Sequence, residues 1–123
     1  MSGNNYDSPL ETTHTFDAAV LSAAATVGRI AGPAGKVGRV KSINGVVTTG
    51  ITVLDGTVSV RSAGEAAAVT GTLPIASVND PVSATAAEIE AGTELLADTT
   101  VEVVAGGEPT AGAADLTVVI GWY

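Results

Sequence analysis

Cysteine is absent from the 123 residues, histidine occurs once, and there are four aromatic side chains, namely one Trp, two Tyr and one Phe. Without cysteine there can be no disulfide, no thiolate nucleophile and no cysteine-bound metal. Stability must then come from a sheet core, from oligomerisation, or from both, and synthesis outside an oxidising compartment is expected. The lone histidine, His14, sits in a polar stretch near the start, whereas a Ser-His-Asp site needs its imidazole held between partners. The scarcity of rings argues against glycosidase and carbohydrate-binding functions, whose sugar sites are commonly walled by aromatics; Trp122 and Tyr123 alone are a thin platform. No stretch approaches the roughly 18–20 consecutive apolar residues of a spanning helix, so no membrane partner is expected. "MSGNNYDSPLETTHTF" lacks the basic start and apolar centre of a secretory signal.

Positive charge is missing from the whole second half. All five cations, Arg29, Lys36, Arg39, Lys41 and Arg61, fall between positions 29 and 61, where Asp55 is the single acid. The acids Asp7, Glu11 and Asp17 precede that block, and residues 62–123 carry nine acids with no Lys or Arg. Two arrangements satisfy this pattern. Strands from both halves can interleave so that the surface averages out, or a positive face can meet an acidic one on a neighbouring subunit. A net charge of −8 makes nucleic acid an unsuitable partner.

What the sequence does have is Ala, Val, Ile, Leu and Thr in quantity, with 15 Gly. β-branched residues mixed with turn formers indicate an all-β fold, and the length suits one domain with one core. Residues 1 to about 13 show no periodicity and read as an arm whose apolar anchors are Tyr6 and Leu10. Residues 1–26 are therefore expected to be an arm and lead-in, and residues 27–123 a β-sandwich domain. "DAAVLSAAA" also has helical composition, with Asp17 as N-cap, inside an otherwise strand-like chain.

Beyond Val37 strand signals are dense. "KVGRVKSINGVVTTG" surrounds a candidate turn at Asn44-Gly45. "GITVLDGTVSVRS" has two alternating runs around Asp55-Gly56, which suits a type I′ hairpin. "AAVTGTLPIASV" reads as a strand with Pro74 at an edge or bulge. In "DPVSATAAEIEAGTELL", Thr85 and Glu88 have capping-box spacing and Gly92 is a stop, giving one short helix. "TTVEVVAGGEPTAGAA" gives a strand and then a long loop, in which Gly106, Gly107 and Pro109 exclude regular structure. In "ADLTVVIGWY" alternation puts Leu116, Val118, Ile120 and Trp122 on one face. Trp122 is then a core residue and Tyr123 a subunit contact, or both rings lie at an interface; Tyr123 as a merely exposed ring is the plain alternative. About six to eight short strands in total fit a jelly-roll or β-sandwich.

Candidate chemistry is thin. Glu88, Glu90 and Glu94 read as a solvated face. Asn79-Asp80 and Asp98 offer oxygen ligands for calcium but without EF-hand spacing. "GPAGKVG" lacks the spacing and the hydroxyl of a phosphate loop. No catalytic constellation, cofactor site or metal site emerges, and an enzyme is not expected.

The order "PAGKVGRVKSINGVVTTGITVLDGTVSV", "VTGTLPIAS" and "SATAAEIEAGTELLADTTVEVVAGGEPTAGAADLTVVIGWY" resembles small tailed-bacteriophage head decoration, or cement, proteins with a jelly-roll-like fold. The resemblance covers roughly residues 27–123 and rests on composition and order; adhesive β modules of phage fibres and surface proteins share it. It implies a virion protein on the capsid exterior, often a trimer, clamping neighbouring major capsid subunits. Tyr6, Leu10, Phe16, Arg29, Lys36, Arg39, Lys41 and Tyr123 are then the candidates for contact with capsid or with other copies. The alternative is a fibre, tail or adhesin module that binds glycan or protein.

Overall fold

The computed structural model describes residues 10–22, 25–52, 56–107 and 111–123. Tyr6, Asp55 and Pro109 lie outside the described residues. Eight strands run in chain order: β1 Leu10–Val20, β2 Ala25–Ile30, β3 Gly38–Thr52, β4 Gly56–Ser62, β5 Ala67–Leu73, β6 Pro81–Ser83, β7 Val101–Gly107 and β8 Ala111–Trp122. One helix, α1 Ala86–Glu90, lies between β6 and β7. The strands form two four-stranded antiparallel sheets, ordered β1-β8-β3-β6 and β2-β7-β4-β5.

Strands are paired as nested partners, β1 with β8, β2 with β7, β3 with β6 and β4 with β5. That is a long hairpin rolled into two layers, the jelly-roll arrangement. The all-β sandwich expected from composition is present.

Alternation builds the core. In β4, Val58 and Val60 are fully buried while Thr57, Ser59 and Arg61 are half-exposed. In β8, Leu116, Val118, Ile120 and Trp122 all point inward, as the period of two requires. They meet Val58, Val60, Val101 and Val103 of the facing sheet in one continuous core. Each such aliphatic side chain stabilises by about 1.5–3 kcal/mol relative to exposure. Among the described residues, Ser62 is the buried polar one, and its Oγ accepts the Leu96 N–H at 2.8 Å.

Several local expectations are corrected by sheet pairing. Residues 10–20 form a strand and not the helix that "DAAVLSAAA" permits, and Leu10–Thr13 belong to β1. Within residues 1–26, read as arm and lead-in, the described residues 10–20 lie in β1 and 25–26 in β2. Asn44-Gly45 is no turn: Asn44 pairs with Thr117 and Gly45 with Leu116 in the middle of β3. A Cβ on Gly45 would come within 2.8 Å of the Asp115 carbonyl oxygen, so glycine serves a close strand approach there. The runs flanking Asp55-Gly56 do not form a hairpin, because β3 and β4 lie in different sheets. Ile51, Val58 and Val60 are all fully buried, so the same alternation serves a crossing between layers. Gly106 and Gly107 are paired with Thr57 and Gly56, within β7 and not in a loop.

Other signals carry through. Pro74 directly follows β5, an edge strand of its sheet. The Thr85 side chain caps α1 by accepting the Glu88 N–H, and Glu88 returns a bond to the Thr85 N–H at 2.8 Å. The second Glu88 oxygen accepts the Thr72 N–H of β5 at 2.9 Å. Thr93 N–H then takes the Ala68 carbonyl at 2.9 Å, so α1 and the chain after it cover the outer edge of β5. At the opposite flank, among the described residues, β1 pairs only with β8 and β2 only with β7. There β1 is broken by a bulge between Phe16 and Ala19, where Ala18 has φ +49° and donates its N–H to Asp115 Oδ1 at 2.7 Å.

The large rings are accommodated by glycines. Phe16 lies over Gly28 of β2, and Trp122 lies against Gly32 and Gly38. A Cβ on Gly32 would stand 2.4 Å from Trp122 Cη2, and the ring is only 2 % exposed. Gly32→Ala should therefore destabilise the fold by about 1–3 kcal/mol, read by urea denaturation with Trp122 emission as reporter. A separate outcome concerns acid. Hydrogen bonds from the Thr85 and Thr72 N–H groups hold the Glu88 carboxyl below its ordinary 4.5. A depressed carboxylate contributes stability above its unfolded pKa that is lost as pH falls through the folded one. Glu88→Gln should therefore be less stable at neutral pH and lose stability less steeply below pH 4.5, measured as denaturation midpoint against pH.

Candidate interaction surface

Where β8 ends and β1 and β3 begin, pairing gathers distant parts of the sequence. Leu10 and Gly38 both pair with Trp122, and Arg39 pairs with Gly121. Tyr123 continues the ladder through its N–H to the Val37 carbonyl at 2.9 Å. Lys41 Nζ donates to the Tyr123 hydroxyl at 2.9 Å and lies 5.5 Å from its ring centroid. Tyr123 is 47 % exposed beside Lys41, while Leu10, 54 % exposed, pairs with Trp122 and so faces the other side of the sheet.

Five candidates from the sequence, Leu10, Lys36, Arg39, Lys41 and Tyr123, thus share one end of the sandwich. Arg39 is committed there to the Gly92 carbonyl at 3.0 Å. Two others sit elsewhere. Phe16 is half-buried and packs on the core. Arg29 lies on the other sheet, where Glu102 of β7 pairs with Arg29 of β2 at 3.5 Å and with Arg61 of β4 at 3.0 Å. There an acid of the second half stands between two cations of the first, which is the interleaving arrangement. Tyr6 lies outside the described residues.

Trp122 closes this end of the core. Its Nε1–H donates to Thr12 Oγ1 at 2.8 Å, and the same hydroxyl lies 2.8 Å from His14 Nε2. Burial pushes the His14 imidazole below its ordinary 6.5, favouring the neutral ring. His14 is therefore part of a β1 side-chain network.

A groove of about 270 Å³ opens above the Trp122 ring. One wall is the β2–β3 connection, with Ala31, Pro33 and Lys36; the other includes Leu96 and Thr99. The walls are tied by the Gly35 N–H, donated to Asp98 Oδ1 at 2.8 Å, with Gly35 at φ +72°. Leu96 is 49 % exposed and separates this groove from a second concavity of about 330 Å³ beside Glu65 and Glu94. Sequence reasoning missed Leu96 and Pro33, because only tertiary structure sets them across a gap. Their apolar character in a polar loop was the available signal.

The oxygen-rich positions considered for calcium have structural partners: Asp80 Oδ2 accepts the Ser77 N–H at 2.9 Å, and Asp98 holds Gly35. No group of three His, Asp or Glu positioned for a metal occurs among the described residues.

No family model and no curated protein matches the chain. Among solved structures it is similar to a chain of the Bacillus endospore appendages, described as disulfide-linked pili. That match has 13% identity and a TM-score of 0.49, covering 94% of this chain and 88% of that one. It is also similar to a chain of infectious bursal disease virus, Gx strain, with 14% identity and a TM-score of 0.47. There 92% of this chain is covered but only 32% of the viral one. A third similarity is to the capsid asymmetric unit of cyanophage Pam1, with 18% identity, a TM-score of 0.45 and 92% and 81% of the two chains covered.

The two terminal rings should separate by function. Trp122→Ala should cost about 3–5 kcal/mol of stability, as for other buried aromatics. Tyr123→Ala, losing an exposed hydrogen bond to Lys41, should cost at most about 1 kcal/mol. Chemical denaturation of both variants measures the difference.

Proposed function

We propose that this protein is a structural virion component that binds the outer surface of an assembled phage capsid. It acts there by clamping neighbouring major capsid subunits, as a trimer, with no catalytic step and no cofactor. The observation that carries the reading is the use made of the side chains. Among the described residues the buried groups are apolar except Ser62, and the acids Asp80, Asp98 and Glu88 accept from backbone N–H groups. What the jelly-roll displays at this end is the exposed pair Tyr123 and Lys41 on one face of the sheet, with Leu10 exposed at its edge. The sequence resemblance to head decoration proteins supplies the partner, as an analogy of family and not of site.

Such a role follows from mass action. A protein that binds the assembled lattice and not the free subunits adds its binding free energy to the cost of opening the shell. Three linked copies multiply modest contacts into high avidity. Acidic balance suits the exterior of a DNA-filled shell better than its interior.

Mixing purified protein with undecorated shells tests this directly. Co-sedimentation and new density on the outer surface in electron micrographs are expected, with a trimer mass in solution by sedimentation. Tyr123→Ala should bind shells about tenfold or more weakly while staying folded. Wild-type protein that leaves shells bare, or density restricted to tails or fibres in virions, would overturn the proposal.

A further inference from the structure

We propose that the free edge of β1 pairs with the β1 edge of a second copy of this chain, antiparallel about a twofold axis at Thr13. The inference is independent of capsid binding, and a twofold contact at this flank is distinct from the threefold one proposed above. Three observations converge on it.

The first is which backbone groups are unused. Tyr123 exchanges both of its hydrogen bonds with Val37, its N–H donating at 2.9 Å and its carbonyl accepting at 3.3 Å. Alternate residues of an antiparallel ladder turn their polar groups to opposite sides, so Trp122, Ile120, Val118 and Leu116 turn theirs toward β1. Their partners are Leu10, Thr12, His14 and Phe16. Glu11, Thr13 and Thr15 therefore point N–H and C=O away from β8, and among the described residues no other strand pairs with them.

The second is the lack of any guard on this edge. The β5 edge is covered by Glu88 and Thr93, and β6 has three residues and begins at Pro81. The neighbouring β2 is interrupted between Thr26 and Gly28. From Leu10 to Phe16, β1 has no proline, lysine or irregularity, and its bulge comes only after Phe16. A stretch of that kind is a template for another strand.

The third is that the stretch is complementary to itself. Thr13 is the midpoint of Leu10–Phe16, and a register centred there pairs every residue of it before the bulge. On the exposed outer face Thr13 meets the partner's Thr13, and Glu11 meets the partner's Thr15. The two Glu11 carboxylates then lie about 13 Å apart along the strands. On the core face Thr12 meets the partner's His14. Leu10, 54 % exposed, meets the partner's Phe16, whose ring is half-buried at this flank. Aromatic, apolar and hydroxyl pairs of this kind stabilise facing strands, whereas like charges directly opposite destabilise them. A register centred on Glu11 would set two carboxylates face to face, and one centred on Thr15 would run into the bulge. This match of the stretch to its own reverse favours a second copy over an unrelated strand. The product is one continuous sheet in which β1-β8-β3-β6 is extended by its twofold image.

Amide exchange by NMR tests this on the wild-type protein of 12.0 kDa. The Thr12 and His14 amides, bonded to β8, should be protected at every concentration. Those of Glu11, Thr13 and Thr15 should gain protection as concentration rises and lose it on dilution. The cysteine-free sequence also lets disulfides read the register. Residues that exchange both hydrogen bonds lie about 5.5 Å apart at Cα, within the reach of a disulfide. Thr13→Cys should therefore oxidise to a two-chain product on a denaturing gel, which counts covalent pairs whatever the native assembly. Glu11→Cys and Thr15→Cys should link to each other when mixed but not to themselves, being about 13 Å from their own copies. All three side chains are exposed, so the reduced variants should keep the wild-type denaturation midpoint. Three results would overturn the proposal. One is free exchange of the three outward amides at every concentration. Another is protection that survives dilution to single chains, which would place an intramolecular partner on the edge. The last is Thr15→Cys linking to itself as readily as Thr13→Cys.

Discussion

The structure depends on fitting one indole into a notch that only glycine can form. A core of valine, isoleucine, leucine and alanine fills the space between the sheets but leaves its end open where β8 finishes. Trp122 closes that end, and it can do so because Gly32 and Gly38 present no Cβ to its ring. The Nε1–H of this buried ring then needs an acceptor, and Thr12 of β1 provides it at 2.8 Å. The same ring fixes the β2–β3 connection, the start of β3 and the start of β1. The first of those segments is a wall of the groove, so core closure and surface shape share one cause.

Nested pairing accounts for the distribution of charge. Because β7 and β8 come from the end of the chain and lie at the centre of their sheets, they are flanked by strands from its beginning. A sequence with its cations in one block and its acids in another can thereby bring opposite charges side by side. Glu102 between Arg29 and Arg61 is the direct instance. Lys36, carried by a connection and not by a strand, lies outside that pairing.

Fold class, the helix cap and the inward face of β8 were legible because each is local: a period of two, a Thr-x-x-Glu spacing and composition. Asn44-Gly45 was misread, and the hairpin expected around Asp55-Gly56 is not formed, since β3 and β4 lie in different sheets. Turn chemistry describes what a dipeptide permits, while the partner strand decides whether that freedom is used for a turn or a close approach. "DAAVLSAAA" shows the same override, since alanine's helical preference is small beside the ladder that β8 offers to β1. At the surface, the contact between Tyr123 and Lys41 joins residues 82 apart in sequence, and no spacing signal reports such a pair.

The two flanks of the sandwich differ, and this sets how it can add to a larger body. On one side Glu88 and Thr93 occupy the outer hydrogen-bonding groups of β5, and β6 is three residues long and begins with a proline. On the other, among the described residues, β1 and β2 end their sheets uncovered. A subunit with one receptive flank can join a neighbouring strand once and then offers nothing to the next arrival. Edge-to-edge stacking is thereby self-terminating, so a protein rich in β-branched residues is kept from growing into fibres.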